Sequence, residues 1–105
     1  MDGSDLVKGV SFVNKSVFAE DQMDEMGIRL KHFIEVYNKK FPKKPLEEFK
    51  ITIKEHSPAG KRKQYMMNAR IVVKGGEYYA EKEDWDIVEV LGHVLDALKR
   101  QMFGE

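Results

Sequence analysis

Between residues 46 and 82 apolar side chains keep returning at every second position, and only two turn signals interrupt them. A chain with that period is built to run as strands, because alternate side chains of an extended backbone point to opposite faces. Over 46–56 the apolar set is Leu46, Phe49, Ile51 and Ile53, with Lys50, Thr52 and Lys54 on the other side. Ser57-Pro58-Ala59-Gly60 reads as a turn with Lys61-Arg62-Lys63 at its tip. From Gln64 to Lys74, Tyr65, Met67, Ala69, Ile71 and Val73 oppose Met66, Asn68, Arg70, Val72 and Lys74. Gly75-Gly76 is expected to supply the positive φ values of a two-residue hairpin, after which Glu77 to Lys82 pairs back. Three antiparallel strands with one apolar face need a cover.

Two segments can provide it. From Glu20 to Phe41 the residues Met23, Met26, Leu30, Phe33, Ile34, Tyr37 and Phe41 advance in steps of three and four, the mark of a one-sided helix. Acids at its start and lysines at its end complement the helix macrodipole, and Pro42 and Pro45 stop it. Gly27 in its interior costs about 1 kcal/mol against alanine. The second helix, Asp86 to Met102, turns Ile87, Val90, Leu91, Val94, Leu98 and Met102 inward. Asp86-x-x-Glu89 is a candidate capping box, with Asp84 as a rival cap and Trp85 expected as a hydrophobic lid on the first turn. Val7 to Val13 reads as a short leading strand, after a loose tail at 1–5.

The order is therefore β-α-β-β-β-α. The first three elements make a parallel crossover, and the rest an antiparallel meander. Both helices can lie on one face of a four-stranded sheet. The expected fold class is α+β, a two-layer sandwich forming a single domain over residues 1–105. The opposite face of the sheet is expected to be cationic, carrying Lys50, Lys54, His56, Met66, Asn68, Arg70, Val72, Lys74 and Tyr79.

Charge sharpens that expectation. The formal net charge is zero, yet residues 27–74 hold thirteen Lys/Arg against four acids, a net +9. Residues 1–26 carry −4 and residues 75–105 carry −5. A solvated surface normally mixes signs. Segregation of this kind makes a field to which a polyanion responds, and a phosphate backbone is the polyanion that suits it.

Other chemistries find little support. Without cysteine there is no disulfide, thiolate metal site or cysteine nucleophile. His32 and Glu35 stand one turn apart on a helix, but a pair without further ligands is a poor metal site. No Gly-x-Ser-x-Gly frames a nucleophile, and Gly60-Lys61 lacks the rest of a P-loop. His93 reads as a solvated or hydrogen-bonded side chain, and the six methionines read as core filler. We expect no cofactor, no metal and no enzymatic activity. No apolar run approaches the roughly 18–20 residues of a membrane span. The acidic start Met1-Asp2-Gly3-Ser4-Asp5 is no secretory signal, so a cytoplasmic location is expected.

The C-terminal third carries a family likeness. Gly75-Gly76-Glu77, Ala80, Glu83, Asp86, Leu91 and then Asp96-Ala97-Leu98-Lys99-Arg100-Gln101-Met102 align without gaps over roughly 30 residues. This run, with the element order, resembles the short form of the ribosome hibernation-promoting factor and ribosome-associated inhibitor family. The resemblance implies binding to the small ribosomal subunit through ribosomal RNA, in the channel between head and body, and silencing of idle ribosomes under stress. Arg100 matches the family's arginine in the last helix, whereas Ala97 stands where members often have lysine. The chain stops without the basic tail of many members and without the long form's dimerising domain, so ribosome dimerisation through such a domain is not expected; the protein itself is expected to be a monomer. Neither membrane nor DNA is an expected partner.

The residues expected to touch RNA are Arg29, Lys39, Lys40, Lys43, Lys50, Lys54, Lys61, Arg62, Lys63, Arg70, Lys74, Lys99 and Arg100. Two other readings stand beside this one. The first is a general RNA-binding module with the layout of a double-stranded RNA-binding domain, although Asp84-Trp85-Asp86 would repel phosphate where such domains place lysines. The second is a protein-interaction domain on the same scaffold, docking a partner on the sheet face or at an edge strand.

Overall fold

A computed structural model describes residues 10–13, 20–57, 60 and 62–104. Its elements are β1 (Ser11–Val13), α1 (Glu20–Lys40), β2 (Leu46–His56), β3 (Gln64–Val73), β4 (Gly76–Asp84) and α2 (Ile87–Phe103), the expected β-α-β-β-β-α order of an α+β fold. The four strands form one sheet in the order β1-β2-β3-β4. β1 pairs parallel with β2, whereas β2 with β3 and β3 with β4 are antiparallel. The leading strand is shorter than expected: Val10 is buried but outside β1, and residues 7–9 and the tail at 1–5 lie outside the described residues.

The alternation read from β2 contains one anomaly, since Leu46 and Phe49 are three apart yet belong to the same apolar set. A bulge resolves it. Leu46 pairs with Val73 and Glu48 with Val72, so one extra residue is absorbed at the start of β2 and both side chains keep to the covered face. On that face Phe49, Ile51, Ile53, Met67, Ala69, Ile71, Val73 and Ala80 are buried. They meet Met26, Leu30, Phe33 and Tyr37 of α1 and Ile87, Val90, Leu91, Val94, Leu95, Leu98 and Met102 of α2 in one continuous core. Phe33 and Phe49 pack ring against ring across the layers at 5.8 Å. The described residues include no buried polar side chain.

Across the helix layer, Arg29 lies beside Gly92 and Phe41 stacks on Phe103 at 5.7 Å. Partners on the two helices thus advance together, and α1 and α2 run side by side in the same direction. The loop after α1 is tied down by Tyr37, whose hydroxyl donates to the carbonyl of Lys44 at 2.6 Å. Burial is the main cause of a phenol pKa raised above its ordinary value.

Two expected turns shift in detail. The hairpin turn is Lys74-Gly75, with Val73 paired to Gly76, so Gly76 opens β4 and the positive φ falls on Gly75 at 84°. Asp86 is the N-cap of α2, accepting from the N–H groups of Val88 at 2.9 Å and Glu89 at 3.1 Å. Its own N–H donates to Asp84 rather than to the glutamate of a capping box. Gly104 ends the helix in the left-handed conformation, its N–H bonded to the carbonyl of Arg100.

Replacing Asp86 with alanine removes the acceptor for two helix N–H groups and should cost about 1 kcal/mol. The melting temperature should fall by about 4–8 °C. Asp86→Asn, which keeps the acceptor, should stay close to the parent in the same thermal melt.

Candidate nucleic-acid interface

Because α1 and α2 run in parallel, their C-terminal cations meet at one end of the helix layer. Lys39 and Lys40 close α1, Lys43 and Lys44 follow in the loop held by Tyr37, and Lys99 and Arg100 occupy the end of α2. Lys40 spans the two helices, its Nζ lying 5.2 Å from the centre of the Phe103 ring. All of these lysines and arginines are at least partly exposed. Among the described residues none of the six makes an ion pair. Lysines at helix C-termini also complement the macrodipole, but Lys43 and Lys44 lie beyond the helix and extend the patch past that role.

Further along the same layer, Arg29, His32, Asp96 and Lys99 line a groove of about 170 Å³ between the helices, floored by Phe33, Gly92 and Leu95. Arg29 is steadied by Glu25 at 3.0 Å, one turn earlier. A neighbouring hollow of about 150 Å³ brings Lys82 of β4 to His93 and Arg100 of α2, with Asp96 at its side. Lys82 and His93 were not legible as neighbours of Arg100, since only the packing of α2 on β4 joins them. The acids Asp21, Asp24, Asp84, Asp86 and Glu89 lie near the opposite, N-terminal ends of the two helices. The helix layer is polarised from end to end.

The open face of the sheet differs from the expected cationic surface. Lys50, Lys54 and Arg70 do project from it, but so do Glu48, Glu77, Glu81 and Glu83, placed there by the same registers. Arg70 is bracketed by two of them: its Nε donates to Glu77, and its Nη1 lies 3.6 Å from Glu48. The bond to Glu77 and then the two carboxylate charges raise its pKa above an already high value. Tyr79 donates its hydroxyl to Glu81 at 2.8 Å, which lifts the phenol pKa. Lys74 lies in the hairpin turn rather than on the face. The acidic flank was readable in the alternation of Glu77, Glu81 and Glu83.

At the β2–β3 turn Lys63 pairs with Glu55 at 3.3 Å. Lys61, with Pro58 and Ala59, lies outside the described residues. The guanidinium of Arg62 lies 5.2 Å from the centre of the Trp85 ring. Trp85, 42% exposed, is therefore a clasp between the turn and the start of α2 and not the lid expected over the first helical turn. Asp84 collects N–H groups from Trp85 at 2.7 Å and Asp86 at 3.1 Å, and faces His93 Nε2 at 3.3 Å. Among the described residues no three His, Asp or Glu cluster as a metal site, and no helix is long and apolar enough to cross a membrane.

No protein-family model matches this chain, and no curated protein sequence matches it. Among solved structures, the crystal structure of the Thermus thermophilus Protein Y N-terminal domain is similar in fold, with a TM-score of 0.55. The two chains are 14% identical, and the superposition covers 90% of this chain and 92% of that one. At such identity the likeness is one of fold.

The N–H of Asp86 above all, and then the N–H of Trp85 and the charge of His93, hold the Asp84 carboxyl below its ordinary value of 3.8. A carboxyl depressed on folding adds stability above its unfolded pKa and loses it as pH falls through the folded one. That contribution should fade below about pH 4. Urea midpoints measured from acid to neutral pH should show Asp84→Asn with a flatter acid limb than the parent; parallel limbs would remove Asp84 from the account.

Proposed function

We propose that this chain binds the small ribosomal subunit through ribosomal RNA and holds idle ribosomes out of translation, as a non-catalytic cytoplasmic factor. The observation that carries the reading is the six-cation patch where α1, its following loop and α2 end together. Phosphate recognition needs such a patch more than it needs any particular motif. The fold shared with the Protein Y domain agrees with the architecture that the resemblance of the C-terminal third implies. In this reading Arg29, Lys39, Lys40, Lys43, Lys44, Lys99 and Arg100 form the principal contact, and Arg62 and Lys63, at the other end of the molecule beside the start of α2, would make a separate one together with Lys61. Lys50, Lys54 and Arg70 are secondary, because glutamates share the sheet face with them, and Lys74 would make its contact from the β3–β4 turn.

Duplex RNA is the weaker reading. A phosphate at the start of α2 would need free helix N–H groups, and there the carboxylate of Asp86 already accepts from Val88 and Glu89. Asp84 adds a second negative charge beside it.

Sucrose-gradient sedimentation with purified ribosomes should show the protein travelling with the small subunit at low salt and released at high salt. Reversing Lys39, Lys40, Lys43 and Lys44 to glutamate should abolish comigration while leaving the circular dichroism spectrum intact. For a milder set of alanine substitutions, each lost phosphate contact should flatten the slope of log affinity against log salt by roughly 0.7–0.9. Failure of the folded parent to comigrate at low salt would refute the proposal.

A further inference from the structure

The sheet face turned away from the helices carries opposite charges on its two flanks. Lys50 and Lys54 project from β2, Glu81 and Glu83 from β4, and β3 runs between them. The registers set these side chains in rows: Lys54–Met66–Glu83, then Thr52–Asn68–Glu81, then Lys50–Arg70–Tyr79, with Glu48–Val72–Glu77 closing the series. Among the described residues the two lysines and the two glutamates make no ion pair, either within their own row or elsewhere. Tyr79 stands half exposed at the end of its row.

We infer that this face is the docking surface for a second copy of the same chain. A two-fold axis running parallel to β3, midway between two facing sheets, keeps every row in place and exchanges the flanks. Lys54 then comes over Glu83 of the second copy, and its own Glu83 under the second Lys54. Lys50 comes over the ring of the second Tyr79, an arrangement that favours a cation on an aromatic face. Met66 meets its mate on the axis, as does Asn68, whose amide can both donate and accept. The two Arg70 side chains also meet there, each with Glu48 and Glu77 as counter-ions, and they offset the like-charge contact that the axis makes by setting Glu48 over the second copy's Glu77. An in-plane axis perpendicular to the strands would instead stack lysine on lysine, so the charge pattern selects one dimer. The sheets in it pack face to face, aligned to within roughly 30°.

A polyanion is a poorer occupant, because whatever the lysine flank attracts the glutamate flank repels. Pairing edge to edge at β4 is opposed by Gln101, whose side chain already bonds the N–H and carbonyl of Tyr79 at 3.4 and 2.7 Å. The dimer covers Lys50 and Lys54, so contact of those two lysines with RNA and self-association exclude each other.

Analytical ultracentrifugation of the whole chain, without ribosomes, tests this directly. A dimer at low salt that dissociates at high salt is expected. Lys54→Glu alone and Glu83→Lys alone should each weaken association by roughly tenfold or more. Combining them recreates the pair with its signs exchanged and should restore the dimer. Both positions are exposed, and circular dichroism checks that each variant is folded. A chain that stays monomeric at low salt up to its solubility limit overturns the inference. So does a dimer indifferent to the single reversals, or one that the double variant fails to rescue. A sheet face that responds to added RNA but never to a second copy is equally fatal to it. Ribosome co-sedimentation plays no part in these readouts, so either proposal can fail without the other.

Discussion

Ile51 and Ile53 of β2 and Met67, Ala69 and Ile71 of β3 form an apolar patch two strands wide that has to be kept from water. Each large side chain in it is worth roughly 1.5–3 kcal/mol when fully buried. The connections fix how that patch is covered. β1 and β4 run in the same sense, because β1 is parallel to β2 and two antiparallel pairings separate β2 from β4. A helix follows each of them and packs back over the same face, so both helices must return in the same direction. Their parallel course follows from the strand senses, and the gathering of their C-terminal lysines and arginines follows from their course.

The two layers therefore handle charge differently. In the helix layer, acids lie toward the N-terminal ends and cations toward the C-terminal ends, a pattern that also suits the helix dipoles. A useful binding patch can be built there without weakening the fold. In the sheet the division runs across the strands, with lysines on β2, glutamates on β4 and Arg70 neutralised between Glu48 and Glu77. Formal neutrality of the whole chain conceals both patterns.

Much of this was readable from residue order. β2 was delimited correctly from its alternation, and α1 and α2 to within one residue, because period and punctuation are local properties. The hairpin turn was displaced by one because either glycine of Gly75-Gly76 could take the positive φ, and only pairing of Val73 with Gly76 decides between them. Asp84 and Asp86 were seen as rivals for one cap, whereas each fills a different part of a single turn. Trp85 shows the same limit: Arg62, its partner, is 23 positions away and reaches it only through the β2–β3 turn. The glutamates of β4 were legible in their spacing, but their significance depends on Glu83 sharing a row with Lys54 and on Glu77 lying diagonal to Arg70. Local chemistry was visible in the sequence, and cross-strand adjacency was not.

Gln101 completes the free edge of β4 by offering Tyr79 the donor and acceptor that a neighbouring strand would offer. The consequence is mechanical. α2 is coupled to the outermost strand by a two-bond shear joint as well as by its apolar contacts, so the strand cannot peel outward while the helix stays seated. A load applied at the C-terminus would reach β4 before it reached the middle of the sheet. The last helix and the last strand should therefore yield together, as one rigid flap.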